Sequence, residues 1–226
     1  MRIGKALIPF TLILAAGCAT ASPAPTPTET PFAELHAKST PTEAATGLPT
    51  MSPSASPKVL LVIDDFEAEE TAWTVCIDPE CADSSATGVV LTPDHATHGI
   101  RALALNFEKN EKLKAVFYIE KPMDLSGGRT VSFDIYHEGT IDGVGFALTT
   151  GADSVWHESD TVPVEQGKKV TLTFDLTAET YKTAATNWEF RAPIADRNKV
   201  VRLSIILYPR ETGSAIIDYL FLSDAA

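Results

Sequence analysis

Polar and apolar side chains alternate in the stretch Thr130-Val131-Ser132-Phe133-Asp134-Ile135-Tyr136. Valine, phenylalanine and isoleucine occupy every second position, with serine, aspartate and tyrosine around them. Because successive side chains of a β-strand point to opposite faces, this period of two predicts a strand with one face in a core and the other in water. Such a strand is typical of an antiparallel sheet that is covered on one side.

The same pattern recurs through the chain after Pro57. Alternation is equally clear in residues 144–148, 170–174 and 201–207. Further β-rich segments predict strands near 58–66, 87–92, 101–107, 113–120 and 214–222. Glycine-containing turns separate the segments, and only Ala178–Ala185 is compatible with a short helix. About nine strands without a long helix predict an all-β fold, an antiparallel β-sandwich of the jelly-roll type.

The first eighteen residues have the features of a secretion signal. Arg2 and Lys5 form a basic start, and an apolar run and small residues then precede Cys18. The apolar run is shorter than the ~20 residues that a membrane-spanning helix needs. The small-small-Cys ending resembles a bacterial lipobox, in which the cysteine is acylated. We therefore predict an extracytoplasmic lipoprotein that is anchored to the cell membrane through Cys18 and faces outward; the alternative is an ordinary signal peptide.

Composition divides the rest of the chain into a linker and a domain. Residues 19–57 contain eight of the fifteen prolines, among threonine, serine and alanine. Such a segment buries too little apolar surface to offset the entropy of ordering it, so we predict a disordered linker. Residues 58–226 have an ordinary length for a single domain and are predicted to form the β-sandwich.

The charge balance argues against nucleic acid as a partner. The chain has 30 acidic and 18 basic side chains, and a formal net charge of -12. A protein that binds a phosphate backbone needs a basic patch, which this composition does not favour.

Two cysteines remain if Cys18 is acylated. Cys76 and Cys81 are separated by four residues that include Pro79. In an oxidising compartment, two cysteines this close across a turn predict a disulfide. A zinc site is the alternative, although no second cysteine pair or histidine pair lies nearby.

Four segments that frame the predicted strands share a recognisable pattern. They are Val62-Ile63-Asp64-Asp65-Phe66-Glu67, His98-Gly99-Ile100-Arg101-Ala102-Leu103, Thr130-Val131-Ser132-Phe133-Asp134-Ile135 and Ala215-Ile216-Ile217-Asp218-Tyr219-Leu220-Phe221-Leu222. Together they resemble galactose-binding-like carbohydrate-binding modules, in particular those of family 11, the β-glucan binders. Their order and spacing cover almost all of residues 60–222. The resemblance implies the β-sandwich fold and a glycan as the binding partner.

The resemblance also implies a structural calcium ion. Such families bring the first and last strands together, and an opening acidic residue and an aspartate of the closing strand bind calcium with backbone carbonyls. The corresponding residues are Glu67 and Asp218, with a carbonyl from Thr97 or His98. Alternation places Asp65 on the same side of the first strand as Glu67, and oxygen ligands suit Ca²⁺. The alternative is a set of solvated acidic side chains.

A sugar site requires aromatic rings to stack on and polar groups that orient the hydroxyls. The predicted ligand-binding residues, all with outward parity, are Tyr118, Asp134, Tyr136, Thr171, Thr173, Arg202 and Tyr208. Asp134 and Arg202 are predicted to share one polar face with the three tyrosines, and the two threonines add hydroxyl groups to it. In the family the concave sheet binds the glycan chain, and Tyr118 and Tyr208 match tyrosines of that cleft.

No motif of a catalytic site occurs in the chain. The histidines lack the His-Glu-x-x-His spacing, and there is no Gly-x-Ser-x-Gly segment. We therefore predict a surface-anchored lipoprotein that carries a non-catalytic glycan-binding domain. The alternative is a protein-interaction or assembly domain on the same fold, and a hydrolase with an unrecognised site is a third hypothesis.

Overall fold

The computed structural model describes residues 57–77 and 81–224. Their strands are β1 (Val59–Asp64), β2 (Thr74–Val75), β3 (Ala86–Thr92), β4 (Ala102–Phe107), β5 (Ala115–Met123), β6 (Thr130–His137), β7 (Ile141–Thr150), β8 (Val155–Glu158), β9 (Val170–Asp175), β10 (Val200–Pro209) and β11 (Gly213–Ser223). No helix among these residues is long and apolar enough to cross a membrane. The predicted signal, lipobox and most of the linker lie outside the described residues.

The strands form two antiparallel sheets. Sheet A has the order β3-β4-β11-β6-β9, and β1 also pairs with β11. Sheet B has the order β2-β5-β10-β7-β8. The first and last strands are therefore neighbours, and the predicted β-sandwich is confirmed. β2 and β8 were missed because two and four residues are too short to show a period.

The predicted helix at Ala178–Ala185 is wrong. A 3-10 turn, Ala184–Thr186, occurs at its end instead. The backbone of Tyr181 pairs with that of Ala192, and the tyrosine ring is buried. Burial of this ring requires the segment to fold back on itself, which outweighs the helix preference of the alanines.

The inner faces of both sheets form one core, as the alternation predicted. Phe133 of sheet A and Phe146 of sheet B are fully buried, and both stack against Phe174 at ring-centroid distances of 5.9 and 5.1 Å. Leu203 of β10 is fully buried in the same core. Full burial of a large apolar side chain contributes about 1.5–3 kcal/mol, so these residues carry much of the stability.

The outer face of sheet B carries a second, smaller apolar cluster. Val116, Ala147 and Ile206 are buried there beside Cys76. Cys76 forms a disulfide with Cys81, as predicted. The N–H of Cys76 donates to Val116 O at 2.9 Å, so the disulfide-bonded segment is fixed against the edge of sheet B.

Candidate functional site

A cleft of about 850 Å³ crosses the outer face of sheet B. We call it the sheet B cleft, and its lining residues are Cys81, Asp83, Lys114, Val116, Glu120, Pro122, Thr149, Ser154, Trp156, Trp188, Val201 and Arg202. Volumes of this size are typical of small-molecule sites. Its polar and aromatic side chains are therefore the first candidates for ligand contact.

One row of side chains forms the floor of the sheet B cleft. In the strand register Arg202 lies opposite both Glu120 and Thr149, and Thr149 lies opposite Trp156. The row therefore crosses β5, β10, β7 and β8 on one face. Neighbouring strands lie about 4.8 Å apart, so the row is about 14 Å long. This length exceeds that of a single pyranose ring.

Arg202 is fixed in the cleft by two neighbours. Its Nε and Nη2 donate to Glu120 Oε1 at 3.2 and 2.7 Å. Its guanidinium carbon lies 4.3 Å from the ring centroid of Tyr118, in a cation–π arrangement. Arg202 therefore covers one face of the Tyr118 ring, which was predicted to stack on a sugar. Of these two residues, Arg202 lines the cleft and Tyr118 does not.

Trp188 is the most exposed aromatic residue that lines the cleft. It is 54% exposed, and its φ is 62° directly after Asn187 at 54°. The left-handed conformation is uncommon for a bulky residue and costs of order 1–3 kcal/mol. The N–H of Trp188 donates to Thr183 O at 3.0 Å, which helps to hold this turn. A strained and exposed tryptophan that lines a cleft is a candidate for contact with a ligand.

Tyr208 lies on the same face of sheet B, next to the cleft. Its hydroxyl donates to Glu158 Oε1 at 3.4 Å, and its ring packs against the apolar cluster of Ile206. Burial is the main reason that the pKa of Tyr208 lies above its ordinary value. The hydroxyl therefore stays protonated at neutral pH and acts as a donor.

The remaining four predicted ligand-binding residues lie on the opposite sheet. Asp134 and Tyr136 belong to β6, and Thr171 and Thr173 belong to β9, both in sheet A. Arg202 belongs to β10 in sheet B, so the prediction that Asp134 and Arg202 share one face is wrong. Outward parity is common to both sheets and does not distinguish them.

The polar groups of this sheet A face have partners within the protein. Asp134 accepts hydrogen bonds from the hydroxyls of Thr171 and Thr97 at 2.5 and 2.6 Å. Tyr136 stacks on His95 at a ring-centroid distance of 3.6 Å, and its hydroxyl donates to Glu138. These contacts attach a loop to sheet A.

Glu67 and Asp218 bind the same loop, residues 97–101. Glu67 Oε1 accepts the N–H groups of Ile100 and Arg101 at 2.9 and 2.8 Å. Gly99 has a φ of 69°, and a Cβ there would lie 2.3 Å from Glu67 Oε1. The close approach of this carboxylate therefore requires glycine.

Asp218 is buried and receives three hydrogen bonds from backbone N–H groups. Its Oδ2 accepts the N–H groups of Thr97 and His98 at 2.6 and 2.8 Å. Its Oδ1 accepts the N–H of Tyr219 at 2.7 Å. The two predicted calcium ligands, Glu67 and Asp218, therefore contact one loop through its N–H groups, whereas the resemblance predicted a carbonyl oxygen from Thr97 or His98.

The described arrangement does not fit a calcium ion. N–H groups carry partial positive charge, and they point at both oxygens of Asp218 and at Oε1 of Glu67. Asp65 does not share a strand face with Glu67, since β1 ends at Asp64, and its Oδ1 accepts the N–H of Glu67. No cluster of three or more possible metal ligands occurs among residues 57–77 and 81–224. Calcium binding stays a prediction.

Asp218→Ala is expected to lower the free energy of unfolding by about 2–4 kcal/mol, because buried N–H groups lose a charged acceptor. Chemical denaturation measures this loss, and Asp142→Ala, which removes an exposed carboxylate paired with Arg210, is the control.

The hydrogen bonds of Glu67 and Asp218 alone account for the attachment of the loop, so EDTA should leave the melting temperature of the wild type unchanged. A lower melting temperature in EDTA would support the calcium prediction instead.

Trp156 and Trp188 were not among the predicted site residues. Trp156 lies in a strand of four residues, where a period of two is hard to recognise. Trp188 lies in an irregular loop, where side chains do not alternate between two faces and their position in the sequence does not predict which way they point. The available signal was a large aromatic side chain in an otherwise polar segment, which marks a candidate contact residue.

The comparisons with known proteins agree with this fold. The family model described as "Mannanase, galactose-binding domain-like" matches residues 64–186, which is more than half of the chain. The chain therefore belongs to this family. No curated protein matches the chain.

Solved structures with the same fold include carbohydrate-binding modules. A family 11 module from Clostridium thermocellum, in complex with a β-1,3-1,4-mixed-linked tetrasaccharide, superposes with a TM-score of 0.56 at 13% identity. The match covers 76% of this chain and 98% of the module. An exo-β-agarase matches with a TM-score of 0.54 at 13% identity, over 75% of this chain and 25% of the agarase. At such identities the likeness establishes the fold alone.

Proposed function

We propose that this member of the mannanase galactose-binding domain-like family binds a neutral β-linked glycan in the sheet B cleft. The observation that carries the proposal is the row of Glu120, Arg202, Thr149 and Trp156, with Trp188 exposed at the same cleft. A pyranose ring presents an apolar C–H face and a rim of hydroxyls. Tryptophan rings suit the first, and the polar side chains of the row suit the second.

The charges that line the cleft support a neutral ligand. Lys114 and Arg202 are basic, and Asp83 and Glu120 are acidic, so the formal charges cancel. Arg202 is paired with Glu120 at 2.7 Å, which leaves no unpaired positive charge at this point to attract an acidic sugar. Hydroxyl groups can bind to these polar atoms without the cost of burying a further charge.

The state of the carboxylates supports binding without cleavage. Glycoside hydrolysis uses two carboxyl groups that flank the bond, one of which donates a proton. Glu120 is engaged by the Arg202 guanidinium, and Asp83 is exposed. Glu158 is buried, and its oxygens lie 2.8 Å from Lys182 and 3.8 Å from Lys114. None of these arrangements favours a proton donor.

Affinity gel electrophoresis tests the proposal with a panel of polysaccharides. The names of the relatives suggest mixed-linkage β-glucan and galactomannan as the neutral members of the panel. We expect a chain that starts at residue 19 to be retarded by at least one of them and not by acidic polygalacturonate. Absence of retardation by every neutral polysaccharide would contradict the proposal.

We further propose that the domain is displayed outside the cell on a lipid anchor at Cys18. The basic start, apolar run and lipobox-like ending support this proposal. Two or three acyl chains hold a protein stably at a membrane, since each buried CH2 contributes about 0.8 kcal/mol.

Cys18→Ser is expected to abolish labelling by palmitate and to move the protein from the membrane to the soluble fraction or to leave it unprocessed. The hydroxyl of serine does not replace the thiol that receives the lipid in a lipobox. Labelling in cells measures the effect, and Cys81→Ser, which leaves Cys18 in place, is the control. Undiminished labelling of Cys18→Ser would exclude the anchor.

A protein-interaction role is the second candidate, and β1 favours it. Its successive residues Val59, Leu60, Leu61 and Val62 are each about 40% exposed. Exposed apolar side chains on a strand that pairs with β11 on one side suit contact with another protein. A partner cross-linked through the adjacent Lys58, together with no glycan binding, would favour this role.

A further inference from the structure

We propose that Glu158 is a positioning residue for the sheet B cleft, holding Trp156 and the loop that carries Trp188 in the orientation that binds a glycan. Glu158 is 2% exposed, and it is absent from the residues that line the cleft. It therefore acts through other side chains. This inference rests on the proposed function and adds the residue that fixes the aromatic contacts.

Each oxygen of Glu158 binds one aromatic side chain and lies near one ammonium group. Oε2 accepts a hydrogen bond from Trp156 Nε1 at 3.1 Å and lies 3.8 Å from Lys114 Nζ. Oε1 lies 2.8 Å from Lys182 Nζ and accepts from the Tyr208 hydroxyl at 3.4 Å. A buried carboxylate is tolerated when its charge and lone pairs are satisfied in this way.

The hydrogen bond fixes the orientation of Trp156. Trp156 and Glu158 are two residues apart on β8, so their side chains lie on the same face of the strand. The indole ring turns about two side-chain bonds, and a hydrogen bond at its far edge restricts both. The ring thus keeps one orientation before any ligand binds, which reduces the entropy lost on binding.

Glu158 also anchors the segment that presents Trp188. Its backbone exchanges two hydrogen bonds with Lys182, at 3.0 and 2.9 Å. The Lys182 ammonium lies 5.0 Å from the ring centroid of Phe190. Lys182 lies before Trp188 in the chain and Phe190 lies after it, so this contact joins the two ends of the segment that carries Trp188. The carboxylate that orients Trp156 thus also fixes the loop of Trp188.

The experiment uses Glu158→Gln, which keeps the size and one acceptor oxygen and removes the charge. NMR of the ligand-free protein reports the indole N–H signals of Trp73, Trp156 and Trp188. We expect the Trp156 signal to shift and the Trp73 signal, which reports a buried indole bonded to Asp64 at 3.0 Å, to stay in place. Affinity for mixed-linkage β-glucan or galactomannan, whichever the wild type binds, should fall about 3- to 10-fold.

Two further variants keep the test decisive. Glu189→Gln changes an exposed acid of the same loop and should alter neither the Trp156 signal nor the affinity. If Glu158→Gln fails to fold, Lys182→Met keeps the apolar stem and should shift the Trp188 signal and weaken binding.

The possible results separate this inference from the proposed function. An unchanged Trp156 signal in Glu158→Gln overturns the inference, and so does a shifted signal with unchanged affinity. If the wild type binds neither polysaccharide, the proposed function fails. A shifted Trp156 signal in ligand-free Glu158→Gln then still shows that Glu158 orients Trp156, and an unchanged signal shows that it does not.

Discussion

Trp156→Ala is expected to weaken binding of the recognised glycan by about 30-fold or more, because a tryptophan that dominates an interface contributes about 2 kcal/mol or more. Trp156 ends the polar row on the floor of the sheet B cleft, and its ring orientation is fixed by Glu158. Isothermal titration calorimetry measures the affinity. Because Trp156 is only partly buried, the fold should survive the substitution.

The matched control is an aromatic residue of the opposite sheet. Tyr136→Ala removes a ring from the outer face of sheet A and should leave glycan affinity unchanged. An equal loss of affinity in Trp156→Ala and Tyr136→Ala would indicate a general effect on the fold. A loss in Tyr136→Ala alone would place the ligand on sheet A.

Phe146→Ala is expected to lower the free energy of unfolding by about 3–5 kcal/mol, which is the typical cost of truncating a fully buried phenylalanine. The Phe146 ring is 0% exposed and stacks on Phe174, which also stacks on Phe133 of the other sheet. Its removal therefore leaves a cavity between the two sheets. Urea denaturation measures the loss.

A large exposed apolar residue serves as the control for this prediction. Leu113 is 78% exposed, so Leu113→Ala should change the free energy of unfolding by no more than about 0.5 kcal/mol. A loss below about 1 kcal/mol in Phe146→Ala would contradict the described core.

Alternation predicted the strands and their inner faces because burial of one face imposes a period of two. Phe133 and Leu203 were predicted to face the core, and both are fully buried. The likeness to carbohydrate-binding modules predicted the pairing of the first and last strands, which the β1–β11 pair confirms. Local pattern and resemblance together were sufficient for the fold class.

The composition of the site could not be predicted in the same way. Parity separates inside from outside within each strand, but it carries no information about which sheet a strand joins. Asp134 and Arg202 were therefore predicted to lie on the same face, although they belong to opposite sheets. The strand order that separates them depends on contacts between residues far apart in the chain.

The conformation of the loops was the second feature that could not be predicted from the sequence. The loop of Trp188 depends on a buried Tyr181 and on consecutive left-handed residues, and neither has a periodic signature. The end of β1 at Asp64 likewise removed Asp65 from the strand face that alternation predicted. Irregular backbone is determined by tertiary contacts that a single sequence does not display.

The central claim is that a glycan binds across sheet B, and the three tryptophans of the chain provide its most direct test. NMR spectra of the ¹⁵N-labelled protein, recorded during titration with a β-1,3-1,4-mixed-linked tetrasaccharide and with a manno-oligosaccharide, follow each indole N–H. We predict that the signals of Trp156 and Trp188 shift in parallel until saturation with one of these ligands, while that of the buried Trp73 does not move. Saturable shifts confined to residues of sheet A, or no shift with either ligand, would contradict the claim.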